Sequence, residues 1–127
     1  MTDRYDDRLE LRGMRFAARH GVHPEEKERA QPFEVDLVLF ADLRAGAAAD
    51  DLAATVDYSG LFDLVGRIVN GPSFDLIEAL AEAIAGAALE ATDPQVVERV
   101  EVRVRKPEAP LPGPFETVQA TVMRGRS

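Results

Sequence analysis

The sequence has no cysteine and only two histidines among its 127 residues. Disulfides, iron–sulfur clusters, thiolate zinc sites and a cysteine nucleophile are therefore excluded. The apolar runs are too short and too interrupted to cross a bilayer. The segment from Met1 to Arg8 is polar and acidic, unlike a signal peptide. We therefore expect a cytoplasmic protein.

Positive charge is also scarce, since the sequence has 15 Lys and Arg against 23 Asp and Glu, which gives a net charge of −8. This balance disfavours nucleic acids and anionic membrane surfaces as partners. It does not describe a local pocket, so an anionic small molecule stays open as a ligand. The length and the 46% hydrophobic content predict one globular domain over residues 1–127.

Alternation of apolar and polar residues predicts four strands. The first runs from about Arg8 to His20 and changes phase at Gly13, where we expect a β-bulge. The polar segment 21–31 is predicted to be a loop, and the proline-rich segment 107–114 another. The apolar positions of the other three strands are Phe33, Val35, Leu37 and Leu39; Val100, Val102 and Val104; and, within about 115–124, Val118, Ala120 and Val122.

Helical spacing of apolar residues predicts two helices between the second and third strands. The first is expected to be capped by Asp57 or Ser59 and to end at Gly71-Pro72. The second is rich in alanine and is expected to end at Asp93-Pro94. Their apolar stripes are Leu61, Leu64, Val65, Ile68 and Val69, and Ile77, Leu80, Ala81, Ile84, Ala85, Ala88 and Leu89.

The predicted order is therefore ββααββ, and the economical architecture is an α+β fold. In it, a four-stranded antiparallel sheet carries both helices on one face. Two long edge strands are a liability unless they are paired or covered. Closing several sheets into a barrel removes the edges, so we expect a homo-oligomer.

Four short segments follow one another along the chain: Gly13-Met14-Arg15-Phe16 leading to His20-Gly21-Val22 with Glu25-Glu26; Thr55-Val56-Asp57-Tyr58; Leu76-Ile77-Glu78 with Leu80-Ala81-Glu82; and Val104-Arg105-Lys106-Pro107 running to Pro110-Leu111-Pro112. In their order and spacing, these segments resemble those of the dihydroneopterin aldolases. The resemblance implies the ββααββ tunnelling fold, with tetrameric β-barrel rings stacked into octamers and active sites between neighbouring subunits. Arg19 is a departure, because many members carry an aromatic residue just before the His-Gly pair.

The activity implied by the resemblance is retro-aldol cleavage of 7,8-dihydroneopterin, in folate biosynthesis. The products are 6-hydroxymethyl-7,8-dihydropterin and glycolaldehyde. Because the dihydropterin ring holds a conjugated imine that can accept the electrons, neither a metal, nor a lysine Schiff base, nor another cofactor is required.

The resemblance also implies the roles of individual residues. Lys106 would exchange a proton with the side-chain hydroxyl, and Glu26 would contact the substrate hydroxyls or hold a water. Tyr58, from the neighbouring subunit, would protonate the enamine carbon or order the water that does so. Glu78 would accept the paired N–H groups of the pterin, while backbone groups at Val56 and Ile77 would line the pterin pocket.

Without the resemblance, each of these residues has an ordinary structural interpretation. Glu78 would close a capping box that begins at Asp75. Lys106 would be a solvated lysine at a strand end, and Glu26 one of a run of solvated charges. Tyr58 would pack its ring and expose its hydroxyl.

The two histidines, His20 and His23, are three residues apart and close to Glu25 and Glu26, a pattern that could suggest a metal site. Gly21 and Pro24 argue against a helix there, which favours a turn histidine that is bonded to the backbone.

Three other functions remain open. An epimerase acting on the same side chain would use the same cleavage followed by recombination, and one specialised for the triphosphate would want extra cations, for which Arg19, Lys27 and Arg29 are candidates. An oxygenase side reaction on the enamine is a further possibility. A non-catalytic pterin-binding protein could dispense with Lys106 and Tyr58. Zinc-dependent enzymes of the same fold are disfavoured by the shortage of ligands.

Overall fold

The structure is a computed structural model that describes residues 4–126, so residues 1–3 of the polar Met1–Arg8 segment, and Ser127, lie outside the described residues. The four strands form one antiparallel sheet, as predicted, and they lie side by side in the order in which they follow along the chain. Within the described residues, no helix is long and apolar enough to cross a membrane. The elements are β1 (Asp7–Ala18), α1 (Pro24–Glu28), β2 (Gln31–Ala41), α2 (Arg44–Ala49), a 3₁₀ turn (Leu52–Ala54), α3 (Tyr58–Val69), α4 (Ile77–Glu90), β3 (Val97–Lys106) and β4 (Val118–Gly125).

Helices α3 and α4 cover one face of the sheet, as the apolar patterns predicted. Each large apolar side chain removed from water contributes roughly 1.5–3 kcal/mol, so this layer supplies most of the favourable free energy of folding. Its fully buried members include Phe33, Val35, Leu37 and Leu39 of β2, Val65 and Val69 of α3, Leu80 and Ile84 of α4, and Val97, Val100, Val102 and Val104 of β3.

The predicted bulge in β1 is confirmed at Gly13. The pairing register with β2 shifts between Leu11 and Met14, which keeps apolar residues on both sides of the bulge against the helices. Gly13 has a φ of +68°, a conformation that L side chains adopt at a cost. Its N–H donates to the Asp36 carboxylate at 2.7 Å, which ties the bulge to the central strand.

Asp36 departs from the simple in–out pattern of a half-buried strand. It lies on the face without helices, yet it is only 4% exposed. Arg105 donates to both of its carboxylate oxygens, at 2.7 and 2.8 Å. These charge-assisted bonds, with the Gly13 N–H, outweigh burial and lower the pKa of Asp36. The partner lies 69 residues away in the sequence, so strand alternation alone could not identify it.

Two local predictions need correction, and two short elements were not predicted. The segment 21–31 is not entirely a loop, because residues 24–28 form α1 with Pro24 in its first turn, where a missing N–H costs nothing. The fourth strand begins at Val118 rather than at about Phe115. The short helix α2 and the 3₁₀ turn were not predicted, since the alanine-rich segment that holds them shows little apolar periodicity.

Gly13 gives a direct test of the bulge. An added Cβ at Gly13 would have nothing within 4 Å, so the cost of Gly13→Ala is that of the backbone conformation alone. We expect the unfolding free energy to fall by about 1–2 kcal/mol, and by less for Gly13→Asn, which tolerates a positive φ. The measurement is urea unfolding. The control is Gly86→Ala in α4, also free of contacts within 4 Å, which should not destabilise. Equal changes in unfolding free energy for Gly13→Ala and Gly86→Ala would contradict the conclusion that the positive φ of Gly13 causes the cost.

Candidate active site

A buried ion pair joins the end of β3 to α1. Lys106 Nζ lies 2.5 Å from Glu26 Oε2, and the two residues are only 8% and 5% exposed. Lys106 Nζ is also 6.0 Å from the centroid of the Phe33 ring. Interpreting Glu26 as a solvated charge and Lys106 as a solvated strand-end lysine is therefore wrong. A pair held away from water interacts more strongly than an exposed one.

The Glu26 carboxylate is held from several sides. Gln31 Nε2 donates to Oε2 at 3.0 Å, and the His23 N–H donates to Oε1 at 3.3 Å. Burial raises the pKa of Glu26, but the hydrogen bonds from Lys106, Gln31 and His23 together lower it. The carboxylate is therefore ionised near neutral pH. A Cβ at residue 21 would lie 2.3 Å from this carboxylate, so Gly21 is required by close approach.

His20 joins the loop after β1 to the loop between α3 and α4. Its Nε2 lies 2.7 Å from the Val69 carbonyl, and its Nδ1 lies 2.9 Å from the Phe74 nitrogen. Because Phe74 N–H can only donate, Nδ1 is the acceptor and Nε2–H donates to Val69. The predicted turn histidine is confirmed. Burial lowers the pKa of His20, as do the Lys27 and Lys106 cations, against the opposing effect of the Val69 carbonyl.

The same two loops are joined by further contacts. The Gly21 N–H donates to the Phe74 carbonyl at 2.9 Å. Lys27 Nζ donates to Ser73 Oγ at 2.8 Å and pairs with Asp75 Oδ1 at 2.6 Å. Together with His20, these bonds fix the loop that leads into α4 against the segment that carries Glu26.

Glu78 lies in the first turn of α4 with an exposed side chain. The predicted capping box is wrong, because Leu76 is the N-cap residue and no side chain caps the helix. Asp75, the expected cap, is paired with Lys27 instead. The helix therefore begins at Ile77, which packs partly buried against the core, and Glu78 is the second helical residue.

Val56 and Tyr58 lie at the other end of α3. Asp57, one of the two predicted caps, accepts from the backbone N–H groups of residues 59 and 60 at 3.1 and 3.3 Å. Tyr58 is 59% exposed and lines a surface groove with Leu11, while Val56 is buried. The far end of α3 is Val69, beside His20. Eleven residues of helix separate Tyr58 from Val69, roughly 16 Å at 1.5 Å per residue.

The predicted site residues therefore fall into two groups within one chain. The first comprises Glu26, Lys106, Ile77 and Glu78, on segments joined by His20 and Lys27. The second comprises Val56 and Tyr58, at the start of α3. No group of three or more His, Asp or Glu side chains between residues 4 and 126 is placed to hold a metal ion. Sequence patterns missed Gln31 as a support of the first group, although its partner Glu26 is only five residues away. They also could not identify the backbone partners of His20, which lie 49 and 54 residues along the chain.

Comparison with known proteins identifies the family. The family model described as "FolB: Dihydroneopterin aldolase" matches residues 9–123. A curated dihydroneopterin aldolase of Streptomyces coelicolor is 46% identical over 120 residues, which cover 94% of this chain and 98% of that protein. The chain therefore belongs to the dihydroneopterin aldolase family. The prediction of an aldolase of folate biosynthesis is confirmed.

Solved structures show the same fold. The Escherichia coli dihydroneopterin aldolase in complex with neopterin superposes with a TM-score of 0.85 at 25% identity, covering 94% of this chain and 99% of that chain. A dihydroneopterin aldolase of Burkholderia thailendensis bound to guanine gives 0.75 at 29% identity, covering 98% of this chain and 96% of that chain. The α+β sheet with its helices is therefore the fold of this family.

The ion pair can be tested by a double-mutant cycle. Lys106→Met leaves the Glu26 carboxylate buried and unpaired, so we expect it to lower the unfolding free energy by about 3 kcal/mol. Adding Glu26→Gln to that variant should restore most of the loss. The measurement is chemical unfolding of the four proteins, and strictly additive losses would contradict a coupled pair.

His20 gives a pH-dependent test. The folded protein favours the neutral ring, so the pKa of His20 lies below its ordinary value of 6.5. The stability that this provides is complete above pH 6.5 and is lost as the pH falls through the lower, folded-state pKa. We expect the wild type to lose more unfolding free energy between about pH 7.5 and pH 5.5 than His20→Gln, which keeps a donor and an acceptor but does not titrate. Equal losses would show that His20 does not contribute.

Proposed function

We propose that this chain cleaves 7,8-dihydroneopterin by a metal-independent retro-aldol reaction without a Schiff base, at a site built around Lys106 and Glu26. The observation that carries the proposal is the buried pair of an ammonium and a carboxylate beside an open cleft. Cleavage breaks the bond between the first two side-chain carbons and gives 6-hydroxymethyl-7,8-dihydropterin and glycolaldehyde.

The reaction needs a group that removes the proton of the hydroxyl beside the breaking bond, and an acceptor for the bonding electrons. The conjugated imine of the dihydropterin ring is the acceptor, so the electrons pass into the ring and leave an enamine. Protonation of the enamine carbon then completes the hydroxymethyl product. The protein therefore has to bind, orient and move protons.

Lys106 and Glu26 are suited to the proton transfers. The low pKa of Glu26 keeps it ionised and able to accept a hydrogen bond from a substrate hydroxyl or from a water. In its neutral amine form, Lys106 accepts the proton of that hydroxyl through the water, and the ammonium that results pairs with Glu26. Gln31 supports the arrangement, because its Nε2 donates to Glu26 while its Oε1 is buried with no partner in the described part of the chain.

Glu78 is suited to binding the pterin ring. Neopterin and guanine, which the E. coli and Burkholderia structures hold, share an aminopyrimidinone edge with two neighbouring N–H donors. A carboxylate accepts such a pair in bidentate geometry. In this chain Glu78 offers an exposed carboxylate on the first turn of α4, and the loop before that turn is tied to the Glu26 segment by Lys27 and His20. Backbone groups at Ile77, and at Val56 of a neighbouring subunit, line the pocket.

Tyr58 completes the site from a second subunit. Its exposed side chain and its separation from His20 along α3 support a site shared between chains. Strands β1 and β4 are the edges of the sheet, and pairing them between copies closes a barrel. The assembly is a homo-octamer of two stacked tetrameric rings, in which Tyr58 protonates the enamine carbon or orders the water that does.

Mixed oligomers test the proposed roles of Tyr58 and Lys106, and also the proposal that each site takes these two residues from different chains. We expect Tyr58→Phe and Lys106→Met homo-oligomers each to release little glycolaldehyde. Hetero-oligomers, co-expressed with two different tags and purified through both, should regain activity, because roughly a quarter of randomly assembled sites combine Lys106 of one chain with Tyr58 of another.

The control is a hetero-oligomer of Lys106→Met with Glu26→Gln. Both substitutions lie in one half of the site, so these mixtures contain no site with both native residues and should stay inactive. Recovery in the control, or no recovery with Tyr58→Phe, would contradict a site that draws Lys106 and Tyr58 from different chains.

A further inference from the structure

An acidic cleft opens beside the Lys106–Glu26 pair. It has a volume of about 510 Å³ and includes Glu26 and Gln31 in its wall. Its charged residues are four carboxylates and one guanidinium, even though the reaction centre itself holds a cation. The lining residues are Glu25, Glu26, Glu28, Arg29, Ala30, Gln31, Glu108 and Pro110.

Three of these carboxylates, Glu25, Glu28 and Glu108, form the rim of the cleft. They come from two segments that are fixed to the ion pair. Glu25 and Glu28 lie on α1 with exposed side chains, on the same short helix as Glu26. Glu108 is two residues beyond Lys106, in a turn that is closed by a hydrogen bond from the Ala109 N–H to the Lys106 carbonyl at 3.3 Å. The negative rim therefore keeps its position relative to the pair.

The nearby cations do not neutralise the negative charge of the rim. Lys27 is held away from it by its bonds to Ser73 and Asp75, and Lys106 is neutralised by Glu26. Arg29 is the one cationic residue in the lining. A site built for a polyphosphate would instead present several unpaired cations.

We infer that Glu25, Glu28 and Glu108 are specificity-determining residues that select a dihydroneopterin with a free terminal hydroxyl over its phosphate esters. The inference rests on the proposed function, which places the reacting hydroxyl at Lys106 and Glu26. The terminal carbon of the side chain is one bond further on, so a substrate bound in this way would extend it into the cleft that Glu26 lines. A phosphate there would bring about −1.5 to −2 charges against the rim, and like charges in a partly desolvated cleft reject the wrong substrate.

The test compares kcat/KM for 7,8-dihydroneopterin, its 3′-monophosphate and its 3′-triphosphate, with glycolaldehyde or its phosphate as the measured product. At about 20 mM salt we expect the free alcohol to be preferred by roughly tenfold or more, with the triphosphate as the poorest substrate. At about 500 mM salt the preference should shrink several-fold, because screening weakens exposed charges. A preference that does not change with salt would overturn an electrostatic origin.

Reversing the charge of single rim residues tests whether the preference for the free alcohol originates at the rim. Glu28→Lys and Glu108→Lys should each raise the ratio of kcat/KM for the monophosphate to that for the free alcohol by several-fold, and the double variant by more. The matched control is Glu90→Lys, an exposed carboxylate at the end of α4, which makes the same change in net charge and should leave the ratio unchanged. An equal rise in the control would assign the effect to net charge and overturn the role of the rim.

The outcomes separate this inference from the proposed function. If the wild type cleaves none of the three compounds, the proposed function is wrong and the inference falls with it. If it cleaves the free alcohol and the esters equally well at low salt, the retro-aldol function stands and only the role of the rim is overturned.

Discussion

The ion pair between Lys106 and Glu26 is the constraint on which the rest of the site depends. Burying two charges is unfavourable unless they are paired and further hydrogen-bonded. Here the fold supplies a strand end for one partner and a short helix for the other, with Gln31 and a backbone N–H completing the carboxylate. The absence of a side chain at Gly21 makes room for that carboxylate. The loop that contains α1 is therefore specified by the site more than by local propensity.

The positions of the candidate residues in one chain are the basis for the proposed division of the site between chains. His20 and Lys27 tie the loop before α4 to the Glu26 segment, so one chain holds both the proposed proton-transfer pair and the proposed pterin carboxylate Glu78 in a fixed relation. The length of α3 separates Tyr58 from them. A reaction that needs a second proton donor on the pterin then calls for another subunit, and the two open sheet edges offer the means to bring it there. In this account assembly and catalysis share one physical cause.

The order of the four strands, α3 and α4, the bulge at Gly13 and the Asp57 cap could be predicted, because each depends on neighbours in the sequence. The burial of Asp36 could not, since its Arg105 partner is 69 residues away. Pro24 argues against a helix in the sequence pattern, yet it fits the first turn of α1, where its missing N–H has no partner to lose. The predicted capping box was wrong because Asp75 pairs with the Lys27 ammonium and does not cap α4. Family resemblance supplied the residue roles, which no pattern of spacing could give, and the buried ion pair now gives two of them a physical basis.

The most direct test of the account is to incubate the purified, EDTA-treated protein with 7,8-dihydroneopterin and to quantify the products. The account predicts 6-hydroxymethyl-7,8-dihydropterin and glycolaldehyde in equal amounts, at a rate that added divalent metal does not raise, since the ring imine accepts the electrons and the ion pair handles the proton. Cleavage that occurs only after metal is restored, or binding of the pterin with no product, would contradict it.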